Sequence, residues 1–270
     1  MNFFLSPFPQ LLGGCRVPRP WHRERLMAGA WWYARRMDRR IAATIAASRF
    51  TADALAEAGV PNVERIPLGV DLAHFTPARR AHARETRRAW GLPETAPLVL
   101  FVGRFAHEKE LDVLVDAWPD VERRTDAVLA LAGDGPEKAA LMARSRGRRV
   151  HWLPFIGDPA RLADLQASAQ VYVASSPHET FGLSPLEAMA CGTPVLAADG
   201  GGVREHVVSS GAGALFTPGD AGSLAESLVA LLDADHAAHS ARARAFAEAE
   251  HAWTHVFDRV FALYERVAGR

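Results

Sequence analysis

Leu98–Trp118 reads LVLFVGRFAHEKELDVLVDAW. Its first five residues are apolar without a break, Gly103 ends the run, and Leu111, Leu114, Val115 and Trp118 then recur at helical spacing. A short continuous apolar run followed by a 3.6-residue period is a buried strand feeding a helix that lies back on its sheet. The spacing predicts a strand over 98–102 and a helix over 108–118. The same unit recurs downstream, with strands at 127–132, 150–153, 170–174 and 195–198 and helices at 136–146, 159–167 and 184–190. Strands apolar on both faces, alternating with amphipathic helices, imply an α/β, doubly wound parallel sheet covered on both sides. Such sheets bind ligands outside the carboxyl ends of their strands.

Working outward, Ile41–Ser48 reads as another buried strand, after which Ser48 caps a helix to about Ala58 that Gly59 ends. Val63–Ile66 is a further strand, Pro67–Asp71 a turn, and Phe75-Thr-Pro77 opens a polar, arginine-rich linker to about Pro97. Toward the other end, 222–232 and 236–248 read as helices, and Trp253, Val256, Phe257, Val260, Leu263, Tyr264 and Val267 mark a final amphipathic helix. The implied division is 1–76, 77–250 and 251–270, the last a helix packing back toward the first part.

Composition excludes several classes. The chain of 270 residues is 49% hydrophobic with a formal charge of zero, so it can bury a core and has no global field for nucleic acid. Cys15 and Cys191 form no metal-spaced pair, which suits a reducing cytoplasm. The apolar start, broken by Pro7 and Pro9, lacks a basic leader region, and no run reaches membrane-spanning length. Residues 16–40 carry eight arginines among Trp21, Trp31, Trp32 and Tyr33. That stretch reads first as a solvated helix face with its aromatics in the core, and second as a peripheral contact with anionic lipid on the inner face of a membrane. Of the 31 basic residues only Lys109 and Lys138 are lysine, and both sit beside loop motifs.

Four loops could carry chemistry. His178–Pro194, HETFGLSPLEAMACGTP, follows a strand, turns at Gly182 and opens a helix at Ser184 with Pro185 suited to its first position. Free amides at such a start attract anions, and Glu187 in the first turn can accept from vicinal hydroxyls. Ser184-Pro-Leu-Glu187 equally fits a capping box, and taken alone these four residues favour it. In Phe101–Lys109, Arg104 and Lys109 stand where the first strand of the domain gives way to its helix, and Gly103 permits close backbone approach. Two fixed cations there can neutralise a diphosphate; an exposed pair, with Lys109 beside Glu108 and Glu110, is the ordinary alternative. Gly133-Asp134-Gly135-Pro136 is a tight turn that would let a flat base or phosphate come close, and Gly200–Gly202 suggests another close approach. No HExxH, Walker loop, nucleophile elbow or dinucleotide fingerprint occurs.

The order and spacing of these pieces are more specific than any one of them. Pro67-Leu-Gly-Val-Asp71 with Phe75, Val-Gly-Arg104 with Glu-Lys109, Gly-Asp-Gly-Pro136, and Glu179 with Phe-Gly182 and Glu187-Ala-Met-Ala-Cys-Gly-Thr-Pro194 resemble the retaining glycosyltransferases of group 1, or family 4. The resemblance implies a GT-B fold of two Rossmann-like domains, the carboxyl-terminal one complete here and the amino-terminal one partial. It implies that Arg104 and Lys109 bind the donor diphosphate and Glu179 faces the transferred sugar. Glu187 would hold the ribose, and the amides of Phe181, Gly182 and Leu183 would cradle sugar and phosphate. The loops at Gly133–Pro136 and at Phe155, Ile156 and Gly157 would lie near the base, with no metal required.

The donor implied is a GDP- or UDP-hexose, with wording near Pro67–Phe75 and Gly103–Trp118 similar to GDP-mannose-dependent mannosyltransferases, and the acceptor a lipid or saccharide. Residues 1–76 are short for the family's amino-terminal domain; its glycine-rich loop is missing and His22 does not match its histidine. That leaves a non-catalytic nucleotide-sugar-binding module as the alternative function. Sheet edges and apolar faces left uncovered would favour self-association.

Overall fold

The computed structural model describes residues 2–4 and 20–269, with side chains from residue 28 onward. Two parallel sheets organise it. Strands β1 (Asn2–Phe4), β2 (Thr44–Ala46) and β3 (Val63–Arg65) form the smaller, in the order β1-β2-β3. Strands β4 (Leu98–Val102), β5 (Val128–Ala132), β6 (Val150–Leu153), β7 (Val171–Ala174), β8 (Val195–Ala198) and β9 (Gly213–Phe216) form the larger, in the order β6-β5-β4-β7-β8-β9. Both neighbours of β4 are parallel to it, with Val102 opposite Ala132 on β5 and Val99 opposite Val171 on β7. The chain winds one way from β4 to β6 and the other way from β7 to β9, so the strand order reverses between β4 and β7. A crevice opens at the carboxyl ends of two strands related in this way.

The helices are α1 (Pro20–Asp38), α2 (Arg49–Glu57), α3 (Ala83–Ala89), α4 (Leu111–Arg124), α5 (Lys138–Arg144) and α6 (Pro159–Ser168). They continue with α7 (Leu183–Ala190), α8 (Gly201–Ser210), α9 (Ala221–Asp233), α10 (His236–His251) and α11 (Trp253–Ala268). Strand residues alternate between two cores, as the two-residue period requires. Val99, Phe101, Leu129 and Leu131 meet Leu114, Trp118, Leu224 and Leu228 of α4 and α9 on one face. Leu98, Leu100 and Tyr172 meet Leu165, Met189 and Val207 of α6, α7 and α8 on the other. The smaller sheet is completed by α11, whose Val256 and Leu263 are buried with Ile45 and Ile66.

Two crossings join the sheets side by side. Val70 N–H donates to the His251 carbonyl at 2.9 Å, and His251 Nδ1 lies 2.9 Å from the Leu68 carbonyl. Ser48 caps α2 as expected, accepting from Thr51 N–H, and its own hydroxyl reaches across to the Thr180 carbonyl at 2.6 Å.

Several expected boundaries move, each for a local reason. The helix after β4 begins at Leu111 rather than 108, because His107–Lys109 form a 3-10 turn and Glu110 is left-handed (φ 48°, ψ 41°). The helix expected to open at Ser184 opens at Leu183 on a left-handed Gly182 (φ 87°). The polar linker is largely helical: Pro77–His82 is a 3-10 helix and α3 follows. Arg87, 3% exposed, turns inward there and donates to the Ala96 carbonyl at 2.7 Å and to Gln170 Oε1 at 2.7 Å. In α1, Trp31 packs beside Ala34, Leu55 and Val60, but Trp32 and Tyr33 are exposed, so only part of that aromatic cluster reaches a core. Cys191 is buried and unpaired, its thiol pushed up to about 12 by burial, whereas Cys15 lies outside the described residues. Among the described residues no helix is long and apolar enough to cross a membrane.

Candidate functional site

At the switch between β4 and β7, the loops leaving both strands converge on a cavity of about 330 Å³. It is lined by Gly103, Arg104 and Lys109 from the first loop and by Tyr172, Ser175, Ser176, Glu179, Gly182, Leu183 and Ser184 from β7 onward. The two loops are stitched together. Ser175 Oγ donates to the Lys109 carbonyl at 2.6 Å, and Ser176 Oγ donates to the Glu108 carbonyl at 2.5 Å. These bonds hold the 3-10 turn and the left-handed Glu110 that aim Lys109 into the crevice. The Lys109 ammonium donates to the Glu179 carboxylate, with both side chains only 26% exposed. Arg104, 68% exposed, pairs with Glu108. Lys109 is therefore not balanced by its chain neighbours, as the ordinary reading of an exposed pair has it, but by the carboxylate of the opposing loop.

The start of α7 forms the cavity floor. Gly182 takes a backbone conformation that side chains rarely adopt, and a Cβ there would lie 2.3 Å from Val203 Cγ2. The first amides of α7 have no intrahelical acceptor and carry the positive end of the helix dipole. Leu183 is exposed at the rim, while the Phe181 ring is buried beneath, edge-on to His206 with centroids 4.8 Å apart. The capping box does not form. Ser184 lies inside the helix, its Oγ 3.0 Å from the Tyr172 hydroxyl and 3.2 Å from Gln166 Nε2. The Tyr172 hydroxyl also donates to the Val102 carbonyl at 2.9 Å, which ties the end of β4 to the start of α7. Burial pushes the Glu187 carboxyl up to about 7, against the opposing pull of a hydrogen bond from Gln166 and the nearby His74.

The glycines of these loops meet neighbouring backbone. A Cβ on Gly133 would meet the Gly103 carbonyl oxygen at 2.0 Å, and one on Gly135 the Phe105 carbonyl oxygen at 2.3 Å. The close approach is that of the neighbouring loop backbone, and Phe105 N–H donates to the Asp134 carbonyl at 2.9 Å. Asp134 also accepts from Gly135 N–H at 2.8 Å and lies 3.5 Å from Lys138. The 200–202 run likewise meets the chain itself. Gly202 N–H donates to the Glu179 carbonyl at 2.6 Å, where a Cβ on Gly202 would sit 2.3 Å from the Thr180 carbonyl oxygen.

Of the expected residues, Gly103, Arg104, Lys109, Glu179, Gly182 and Leu183 meet at the cavity, and Gly133–Gly135 abut its Gly103 edge. Glu187 stands one turn further along α7. Phe155 (77% exposed) and Ile156 do not line the cavity, and Phe181 lines a different one. That second cavity, about 560 Å³, lies between Ala47–Ser48 and helices α8 and α10. Its charged groups are engaged, since Glu205 accepts from Arg49 and Phe50 N–H, Arg242 donates to the Gly211 carbonyl and Arg259 pairs with Glu250, whereas the buried His206 Nε2 has no hydrogen-bond partner among the described residues. The chemistry collects in the smaller one. Sequence reasoning missed Gln166, Tyr172, Ser175 and Ser176. The signal available was polarity: Ser175 and Ser176 end an apolar strand, Tyr172 interrupts it, and Gln166 stands between Leu165 and Ala167.

Comparison with known proteins supplies a frame for this geometry. The family model described as "Glycosyl transferases group 1" matches residues 82–248, and that of "Glycosyltransferase Family 4" matches residues 7–74. The chain is 33% identical over 243 residues to a GDP-mannose-dependent alpha-mannosyltransferase of Mycobacterium tuberculosis, covering 89% of this chain and 61% of that protein. It is 33% identical over 258 residues to a phosphatidyl-myo-inositol mannosyltransferase of Mycobacterium leprae, covering 93% and 62%. A further M. tuberculosis protein, a GDP-mannose-dependent alpha-(1-6)-phosphatidylinositol dimannoside mannosyltransferase, is 42% identical over 139 residues, 51% of this chain and 36% of the other. The chain thus spans between about a third and three fifths of the length of these relatives. Among solved structures, a sucrose-phosphate synthase from Thermosynechococcus elongatus superposes with a TM-score of 0.78 at 26% identity, covering 99% of this chain and 67% of that one. Anabaena Alr3699/HepE in complex with UDP and glucose gives 0.76 at 24% identity, covering 90% and 68%.

Proposed function

Because this chain belongs to the glycosyl transferases of group 1, we propose that the crevice between β4 and β7 binds a nucleoside-diphosphate hexose and passes the hexose to an acceptor hydroxyl. The fold is of the GT-B type, with two parallel Rossmann-like sheets, the larger of them carrying the crevice. The observation that carries the proposal is the convergence of Arg104, Lys109 and the amide-rich start of α7 on one cavity beside Glu179. A departing nucleoside diphosphate gains negative charge as the glycosidic bond breaks, and fixed cations and amides aimed there stabilise it without reorganising. In this reading Arg104 and Lys109 take the diphosphate, Glu179 the hexose hydroxyls and Glu187 the ribose. The cations and the helix start then do the work a divalent metal does elsewhere. Transfer with retention follows if the acceptor attacks from the face the phosphate leaves.

The names of the first relatives support GDP-mannose as donor and a lipid or saccharide acceptor. Exposed Trp32 and Tyr33, on a helix that also carries Arg35 and Arg36, support peripheral contact with the membrane that would hold such a lipid.

Calorimetric titration with GDP, UDP, GDP-mannose and UDP-glucose tests the proposal. One nucleotide series should bind, and Arg104→Ala should weaken it about tenfold or more, the worth of a charge-assisted contact. Silence from all four ligands with a folded protein would reject the donor site. Binding with no nucleotide release in the presence of phosphatidylinositol mannoside or saccharide acceptors would reject transfer.

A further inference from the structure

We propose that Glu179 is a built-in stand-in for the donor diphosphate: its carboxylate holds Lys109 until an arriving diphosphate displaces it. The inference rests on the donor reading and adds an order of events to it.

Among the described residues, Lys109 is the sole hydrogen-bonding and ion-pairing partner of the Glu179 side chain, and Glu179 that of the Lys109 ammonium. Arg104 is answered in the same way by Glu108, so each cation of the crevice is matched by a carboxylate. The Lys109–Glu179 pair is also the less exposed of the two, at 26% for both side chains against 68% for Arg104. Attraction between half-desolvated charges exceeds that of a surface pair, so breaking it opposes any ligand that needs Lys109.

The backbone on both sides is fixed while the side chain is not. The Glu179 carbonyl accepts from Gly202 N–H, and Ser176 Oγ accepts from His178 N–H at 3.1 Å. Ser175 and Ser176 in turn hold the backbone of the Lys109 turn. With both loops anchored, release of Glu179 needs only rotation about its own side-chain bonds. A diphosphate offers Lys109 more negative charge than one carboxylate, and the freed Glu179 is then an acceptor for hydroxyls of the hexose attached to that diphosphate. Binding of the phosphate and recognition of the sugar are coupled through one exchange. A free nucleoside diphosphate meets the cost of breaking the pair with nothing returned, whereas the full donor recovers it through the sugar.

The test is a double-mutant cycle read by calorimetry with whichever of GDP or UDP binds the wild-type chain. Glu179→Gln should tighten the nucleoside diphosphate about threefold or more, and the same change in a Lys109→Met background should leave affinity unaltered. Glu179→Asp, one methylene shorter, should also tighten it and serves if the glutamine variant does not fold. The sugar nucleotide should not share the gain, so the preference for GDP-mannose over GDP (or UDP-glucose over UDP) should fall about threefold or more. Unchanged or weaker binding by both variants overturns the inference. So does equal tightening with and without Lys109, because simple like-charge repulsion from Glu179 would produce it. A folded wild-type chain that binds neither nucleotide rejects the donor reading itself, and this inference with it, whereas the other two failures leave the donor site standing.

Discussion

Glu187 shows how much of a site is set by what surrounds a residue rather than by its type. Its place on α7 was legible from the motif, though the helix opens at Leu183 and leaves it past the first turn where it was expected; its protonation was not legible, because burial, Gln166 and His74 all involve other segments. With its carboxyl pushed up to about 7 by burial, Glu187 is partly protonated near neutrality. If the carboxylate is to accept from ribose hydroxyls, that proton must leave. Affinity for GDP-mannose should therefore rise about tenfold per pH unit up to about 7 and level off above it, since one proton is released per binding event. A sugar nucleotide is the right probe, because a terminal phosphate monoester has its own ionisation near pH 6. Glu187→Gln should flatten the profile, and a wild-type profile already flat from pH 5.5 to 8 would show that Glu187 does not hold the ribose. Stability runs the opposite way. A carboxyl raised in the folded state contributes stability below its ordinary value that is lost as pH climbs through about 7. Glu187→Gln should thus gain on the wild type between pH 5 and 8, by about 2 kcal/mol in urea unfolding.

At the scale of elements, periodic segments were readable and segments held by polar side chains were not. Leu111, Leu114, Val115 and Trp118 locate α4 because burial alone explains them. Its first turn is displaced by Glu110, whose left-handed backbone depends on hydroxyls sixty-odd residues away at Ser175 and Ser176. Gly200–Gly202 looks like a loop, yet it starts α8, since its glycines are there for contact with the Glu179 loop and not for flexibility. Gly213–Phe216 is too short and too glycine-rich to announce an edge strand. The linker after Phe75 reads as solvated because arginines usually are, but three of them read carbonyl oxygens. Arg79 takes His74, Arg80 takes Ala167 and Gly192, and Arg87 takes Glu94 and Ala96, while Arg244 of α10 reaches back to Phe75 and Ala190. These bonds bolt the linker to α6 and α7, so it is part of the larger unit rather than a tether. Arg87 is the deepest of the set. Arg87→Met keeps the stem and strips the donors, leaving the Ala96 carbonyl unanswered and Gln170 Oε1 with the Leu98 N–H alone. A loss of about 3 kcal/mol should appear as a lower urea midpoint. The exposed Arg88→Met, which breaks only a surface pair with Glu94, should leave the urea midpoint nearly unchanged. Equal effects of the two would mean that α3 contributes nothing beyond its surface.

Over the whole molecule, the two sheets divide the work between chemistry and surface. The larger sheet's switch point places every cavity-lining candidate within reach of β4, β7 and α7, which is why a doubly wound pattern in the sequence was enough to say where a ligand sits. That the last helix packs back toward the smaller sheet was expected, but which face it uses could not be read, because one helix carries two apolar stripes. Helix α11 buries Val256 and Leu263 against Ile45 and Ile66, with Val260 and Val267 packed beside them. On another face it leaves Trp253, Phe257, Phe261 and Tyr264 between 42% and 59% exposed. The first three rings stack in a row, with centroids 5.4 and 6.2 Å apart. An apolar row of this size in water drives association. Sedimentation of the 270-residue chain should therefore be concentration-dependent in the micromolar range. Replacing Phe257 and Phe261 together by serine should abolish that dependence. The paired change should leave nucleotide affinity within about twofold of wild type, since the row lies on the smaller unit and touches none of the residues at the β4–β7 crevice. A chain that sediments as a monomer at every concentration would show that the row is too narrow to hold copies together. A paired serine variant that lost nucleotide binding would instead mean that the packing of α11 on Ile45 and Ile66 is transmitted through the Val70–His251 crossing to the crevice.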